Sequence, residues 1–323
     1  MAVLRTLLYL FIYPGLLFLF IYGTFCEWFD RKVYARFQNR MGPTQTGKFG
    51  ILQPVADFIK LLAKEDVVPD AVDKSLFSAL PAVGLAVVSV AALLLPVWNF
   101  DLNVPGPTSF SGDLIVLLYL LTLPTLIFFL AGWSSTNLFS TVGAARVITM
   151  LFAYEVPLFL AVLSPAILAG SWRLAEIAAF YQHRPLLLLP NLIGFFVAII
   201  AVQAKLERTP FDIPHAETEI VGGTLTEYSG KKLALFRLML DIELVVSSGL
   251  LAAVFLGGFP GGAILGFINF VIKTLFIILI LSLLKAMTSR IRIDQVVAFS
   301  WKYLAPLALV QLLIVIILKG VLT

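Results

Sequence analysis

The sequence is poor in charge, sulfur and imidazole. Of its 323 residues only 13% are Asp, Glu, Lys or Arg, there is one cysteine, Cys26, and there are two histidines. A single cysteine excludes an intrachain disulfide. One cysteine with two histidines cannot alone build a structural zinc site or a thiolate-ligated iron–sulfur cluster. The chain is therefore expected to bind no cofactor itself, and any redox centre must belong to a partner. What abounds is apolar: 60% of residues are hydrophobic and the mean hydropathy is +0.99, more than a water-soluble globule could bury. The net charge of +4 does not indicate nucleic acid. A nucleic-acid-binding face gathers Lys and Arg on a solvated surface with stacking aromatics, whereas here the aromatics lie inside apolar runs.

Apolar stretches fall at about 3–25, 77–98, 114–132, 147–169, 186–204, 234–256, 263–284 and 303–319. Each is close to the ~20 residues that cross a ~30 Å hydrocarbon layer. The pattern predicts an all-α polytopic protein, a single membrane domain over 1–323 with eight transmembrane helices, in the cell (cytoplasmic) membrane and in contact with membrane lipid. The first stretch exceeds the apolar core of a signal peptide, and no small-x-small site precedes Glu27 and Asp30, so it is expected to stay in the mature chain. Pro14, Gly15, Pro124, Pro157 and Pro165 fall within spans and need not break them, since neighbouring helices can satisfy the freed backbone groups. Asn103 to Gly112 reads as a turn-forming connection and Phe259 to Gly262 as a tight turn.

An even number of spans puts both termini on one side. Of the 23 Lys and Arg residues, 18 fall in the four loops of the opposite side, from Arg31 to Lys74, at Arg146, from Lys205 to Arg237 and from Lys285 to Lys302. Cytoplasmic loops carry the basic excess. Both termini are therefore expected outside, with the polar loops 26–76 and 205–233 in the cytoplasm. In the first of these, Gln53, Asp57, Lys60 and Lys64 recur at i, i+4, i+7 and i+11, one polar stripe on an otherwise apolar helix of about 50–64. It is too short to span, and reads as an amphipathic helix in the membrane interface or against a partner subunit; a simple surface tether is the alternative.

Ionisable groups inside a span are costly and commonly mark ion paths. The candidates are Glu155, Asp241, Glu243 and Lys273. Glu155, half a helix into its span, is either a group that takes up and releases protons or one fixed by an interhelical partner. Asp241 lies one turn beyond Arg237, which allows an i, i+4 pair. Glu243 is about 200° further round the helix and faces another way, and Lys273 is a candidate partner for one of the two.

The densest polar cluster is the third cytoplasmic loop, E-R-T-P-F-D-I-P-H-A-E-T-E-I-V-G-G from Glu207 to Gly223, then T-E-Y-S-G from Thr226 to Gly230. Glu207, Asp212, Glu217, Glu219 and Glu227 supply five of the 19 acidic residues. Pro210 and Pro214 disfavour a continuous helix and Gly222 and Gly223 supply bends, so the loop is expected to fold and bring its carboxylates close together. It reads as a proton-accepting funnel or as a docking surface for a redox partner; His215 with its flanking carboxylates is a thin ligand set for a metal.

Three separated motifs carry a resemblance across essentially the whole chain. R-K-V-Y-A-R-F-Q-N-R-M-G-P from Arg31 to Pro43, G-I-L-Q-P-V-A-D-F-I-K-L-L-A-K-E-D from Gly50 to Asp66, and the acidic loop together resemble the eight-helix subunit 1 of respiratory complex I. They resemble still more the counterpart in energy-converting, membrane-bound nickel-iron hydrogenases and related ferredoxin-oxidising complexes. The resemblance implies a non-redox subunit at the heel of a membrane arm, coupling electron transfer to proton or sodium movement. Its implied partners are a hydrogenase-like large subunit, iron–sulfur small subunits holding iron–sulfur clusters and a nickel-iron centre, and antiporter-like membrane subunits. It also implies roles: Arg31, Arg36, Arg40, Asp57, Lys60, Glu65 and His215 towards the redox module, and the five acidic-loop carboxylates passing charge to Glu155 and on to Asp241, Glu243 and Lys273. The chain departs from the complex I pattern at Asp30, at Thr209, at His215 and at Met239 to Asp241, around the region that shapes a quinone chamber. A quinone-binding subunit of a complex I-like dehydrogenase is the alternative, and a stand-alone secondary transporter a more distant one, since paired internal repeats are not seen.

Overall fold

The computed structural model describes residues 2–97 and 108–322, with side chains described over 7–97 and 108–321. The far end of the second expected span, the first half of the Asn103–Gly112 connection and the side chain of Arg5 lie outside the described residues. The fold is all-α, and among the described residues there is no strand. Eight helical segments are long and apolar enough to cross a membrane: Leu7–Phe37, Lys74–Leu93, Asp113–Ser134, Leu138–Ala169, Pro185–Lys205, Gly230–Phe255, Gly262–Met287 and Ile293–Val321.

The first crossing consists of α1 (Ala2–Phe11) and α2 (Leu16–Phe37). The expectation that Pro14 and Gly15 leave the helix unbroken fails here. Pro14 has no N–H to donate, and a Cβ on Gly15 would lie 2.0 Å from the Leu10 carbonyl oxygen, so the chain is pinched too tightly to continue the helix. Pro124, Pro157 and Pro165 do sit inside continuous helices, α5 (Asp113–Ser134) and α6 (Leu138–Ala169).

Between α2 and α4 (Lys74–Leu93) lies the amphipathic α3, which runs Gln53–Ala63. It starts at the first residue of its polar stripe, three residues after the expected boundary of about 50, because Phe49 (φ 60°) and Gly50 (φ 74°) take left-handed conformations in a 3₁₀ turn, Lys48–Gly50. The short α7 (Leu174–His183) and a 3₁₀ segment, Pro185–Asn191, precede α8 (Leu192–Lys205). The acidic loop contains the single-turn α9 (Glu217–Ile220), and α10 (Gly230–Phe255), α11 (Gly262–Met287), α12 (Ile293–Phe299) and α13 (Ala305–Leu322) complete the chain. A π-helical turn, Ser300–Leu304, joins the last two.

Helix α10 is the axis of the bundle. In its most apolar window 89% of residues are buried, against 28% in the last crossing, and it packs on α2, α3, α4 and α11. Lipid is as apolar as Leu, so burial alone does not drive such packing, and close approach through small residues must contribute. Gly84 of α4 shows this: a Cβ there would lie 2.4 Å from the Met239 sulfur of α10. Of the charged side chains on α10, Lys232 and Glu243 are buried and Asp241 half-buried, whereas Lys231 and Arg237 are exposed.

Candidate functional site

The acidic loop is folded, not merely solvated. Phe211, Ile213, Ile220 and Tyr228 are buried, and Tyr228 stacks on Phe77 of α4 at a centroid distance of 4.0 Å. The bend at Gly223 needs glycine: its φ is +57°, and a Cβ would lie 1.8 Å from the Pro214 carbonyl oxygen. Arg146 of α6 reaches up to hold the loop, donating to the Ile213 carbonyl oxygen at 3.2 Å and pairing with Glu219 at 2.7 Å. Arg290, beyond α11, clamps Asp212 with two hydrogen bonds of 2.8 Å. Two parallel guanidinium–carboxylate bonds fix orientation as well as position.

Under this loop the charges form a descending series. His215 Nε2 lies 2.6 Å from Glu207 Oε2. Burial opposes the charge on His215, but the adjoining Glu207 carboxylate, with help from the Gly222 carbonyl, outweighs it and holds the imidazole above its ordinary pKa. Glu207 lies within electrostatic reach of Glu243 on α10. Glu243 is ion-paired with Lys205 at the end of α8, and the two side chains are 2% and 1% exposed. Half-buried Glu155 of α6 faces the same ammonium. Lys205 thus stands between two carboxylates on different helices. Such a pair is expensive to bury unless both charges are satisfied.

A second cluster joins α2, α3 and α10. Arg31 pairs with Glu27 one turn back and with Asp57 of α3 at 2.6 Å, and Gln53 donates to Asp57 at 2.9 Å. Burial would raise the Asp57 carboxyl, but the hydrogen bonds from Arg31 and Gln53 prevail and hold it below the usual carboxylate range. Asp241 faces Glu27 rather than forming an i, i+4 pair with Arg237. Glu27, Arg31, Asp57, Arg237 and Asp241 line a cavity of about 290 Å³ together with Thr24 and the apolar Pro54, Phe58, Leu61, Leu233 and Leu238. Lys60 also lines it.

Buried Asp30, the chain neighbour of Arg31, accepts from Ser282 of α11, is ion-paired with Arg208, the chain neighbour of Glu207, and lies 3.7 Å from Lys285. Asp30, Arg208, Lys205 and Glu27 were not among the residues the sequence singled out for a role. Glu27 is one helical turn from Arg31, a spacing that could have found it, whereas the partners of Asp30, Arg208 and Lys205 lie up to 252 residues away, beyond any spacing rule.

The remaining expected residues divide by location. Arg36, Glu65 and Glu217 are exposed, and Arg40 lies over the Tyr34 ring at 5.6 Å, which Lys285 also approaches at 4.7 Å. Glu227 accepts from Asn137, the residue that caps α6. Lys273 is not a partner of Asp241 or Glu243. It donates to the carbonyl oxygens of Leu256, the residue that caps α10, and of Gly258 just beyond it, each at 2.6 Å, and so holds the chain where it leaves α10. Among the described residues no three His, Cys, Asp or Glu side chains converge as a metal site.

The NADH dehydrogenase family profile matches residues 10–316. The H-type subunit of NADH-quinone oxidoreductase from Dehalococcoides mccartyi is 40% identical over 291 residues, which cover 89% of this chain and 80% of that protein. A second-copy H-type protein of the same enzyme from Syntrophobacter fumaroxidans is 34% identical over 302 residues, 92% of this chain and 91% of its own length. The counterpart from Thermomicrobium roseum is 38% identical over 306 residues, 89% of either chain. With matches that run through every crossing, both charged clusters and the acidic loop, the chain belongs to the H-type subunit family of NADH-quinone oxidoreductase and is a multi-span cell-membrane component of a complex I-like respiratory complex.

Proposed function

We propose that this chain converts electron transfer in an attached peripheral module into movement of a proton or sodium ion along the membrane arm. The observation that carries the reading is the descending series His215–Glu207, Glu243–Lys205, Glu155, which begins in the acidic loop and ends inside a crossing. A change of charge or conformation where the module docks alters the protonation of His215 beside Glu207. That alters the field at Glu243 and shifts Lys205 between its two carboxylates. Two unit charges ~8 Å apart at an effective dielectric of ~20 interact by about 2 kcal/mol. This corresponds to roughly 1.5 pKa units, enough to switch a group poised near neutrality.

Exposed Arg36, Arg40, Glu65 and Glu217 supply the polar surface on which the module docks, and Asp57, Lys60 and Arg31 adjoin it. Antiporter-like subunits would receive the signal beyond Glu155. A hydrogenase-like module with iron–sulfur and nickel-iron centres is supported by the replacement of the usual family residues at Thr209 and His215. The basic excess of the loops supports a cytoplasmic position for this face and an outside position for both termini. Labelling single cysteines placed at Lys64 and at Val321 from either side of sealed vesicles tests the orientation; label reaching Val321 from the cytoplasmic side would reverse it.

A second reading is supported by the 290 Å³ cavity between α2, α3 and α10. Its mixed lining, apolar Pro54, Phe58, Leu61, Leu233 and Leu238 with Arg31, Asp57 and Asp241, suits an amphipathic ligand such as a quinone, the acceptor for which the relatives are named. In the intact complex in vesicles, Glu155→Gln is expected to preserve electron transfer and lower ion movement by roughly an order of magnitude or more. Unchanged ion movement with normal assembly would remove Glu155 from the path. Competitive inhibition by quinone analogues, relieved by substitution of Phe58, would favour the second reading.

A further inference from the structure

Between Asp30 and Asp57 the chain has no acidic residue, yet it carries five basic ones, Arg31, Lys32, Arg36, Arg40 and Lys48. The bias of cytoplasmic loops towards Lys and Arg accounts for the basic residues but does not exclude acidic ones. Arg36 and Arg40 are exposed and have no carboxylate partner among the described residues; the Arg40 Nε donates to the neutral side-chain oxygen of Gln38 at 2.7 Å. Positive charge on this stretch is thus left uncompensated.

A second cavity, also of about 290 Å³, lies on the same stretch. Arg31, Arg40 and Lys285 line it with Tyr34 and the chain from Met41 to Pro43, and no acidic side chain among the described residues does. Lys285 and Arg40 both lie over the Tyr34 ring, so their charges converge on one wall. Arg31 is held by Glu27 and Asp57, but Lys285 shares its one carboxylate, Asp30, with Arg208, which lies closer to it. The rim is fixed: Lys32 donates to the Pro43 carbonyl oxygen at 2.8 Å, and a Cβ on Gly42 would lie 3.1 Å from the Lys32 Cα. All of this lies past the apolar run of α2, which ends before Glu27, and Met41 at the rim is 79% exposed. Arg, Tyr and Met together are the residue types enriched where proteins meet.

We infer that this cavity receives a side-chain carboxylate, Asp or Glu, from the peripheral subunit that docks on this face. The inference rests on the docking proposed above and names its anchor. The carboxylate accepts charge-assisted hydrogen bonds from Arg40 and Lys285, and Met41 packs against the chain that carries it. Because Lys285 and Arg31 are half-buried, the contact is less screened than one between freely solvated charges. The exposed Arg36 supplies the field that draws an acidic segment to the opening.

The test treats the intact complex carrying Arg40→Lys with a water-soluble carbodiimide, which joins an ammonium to a carboxylate in contact with it. Mass spectrometry of the cross-linked peptides is expected to find position 40 joined to an Asp or Glu of a peripheral subunit. If position 40 is joined only within this chain, or not at all, while Lys48, Lys60 or Lys64 is joined to a peripheral subunit, the anchor is overturned and the docking face stands. If none of these positions is joined to a peripheral subunit, both are overturned. In Arg40→Gln, release of the peripheral module from membranes in high salt is expected to be about five-fold faster than in the wild type, and an equal rate would contradict the anchor. A map of the wild-type complex needs no variant: a carboxylate between Arg40 and Lys285 is expected, and a lipid phosphate or a free inorganic anion there would refute it.

Discussion

At the scale of single residues the account rests on paired charges. Lys205 and Glu243 are buried almost completely, and removing one partner of such a pair leaves an uncompensated charge that costs roughly 3–5 kcal/mol. Lys205→Met alone is therefore expected to reduce the amount of assembled complex, and Lys205→Met with Glu243→Leu to restore it; equal yields from the single and double variants would contradict the pairing. His215 gives a pH prediction. Its folded pKa lies above the unfolded value of ~6.5, so its contribution to stability is fully present below that value and is lost as pH rises through the folded pKa. Thermal unfolding of the complex from about pH 6 to about pH 9 should show that loss in the wild type and not in His215→Gln; parallel curves would remove the Glu207 pair as its cause. The sequence disclosed that these residues were charged and out of place in an apolar chain. It could not disclose the pairing, because Lys205 and Glu243 lie 38 residues apart on different helices. The same limit led to Lys273 being considered for a carboxylate partner, when its ammonium holds the chain where it leaves α10 instead.

At the scale of elements, legibility follows the range of the cause. The polar stripe of α3 is a local periodicity, and its helix starts with the stripe at Gln53, short of the expected boundary near 50 by one 3₁₀ turn. The break at Pro14 and Gly15 depends on a backbone contact with Leu10, which composition does not record. In the acidic loop Gly223 and Gly222 look alike in sequence and differ in the fold. Gly223 is left-handed and blocked by Pro214, whereas a Cβ on Gly222 (φ −126°) would meet only Thr226, its Oγ1 at 3.4 Å. Gly223→Ala is expected to cost roughly 1–3 kcal/mol from left-handed strain and overpacking, and Gly222→Ala much less. Limited proteolysis of the loop in the assembled complex would measure the difference, and equal susceptibility would contradict the described bend.

At the scale of the whole molecule, the number of crossings was readable because each apolar run reports its own environment. The order of packing was not: α10 and α11 are equally long, yet α10 is the buried axis and α11 has only 33% of its window buried. That arrangement sends Asp241 of α10 towards Glu27 of α2 and Glu243 towards Lys205 of α8, which in the proposed function links a docking face to the membrane interior. The claim that this link moves ions is tested most directly by counting ions translocated per electron pair in vesicles holding the intact complex, wild type against the Lys205→Met, Glu243→Leu double variant. The account predicts electron transfer close to wild type with ion movement largely lost; a wild-type ratio of ions to electrons would contradict it.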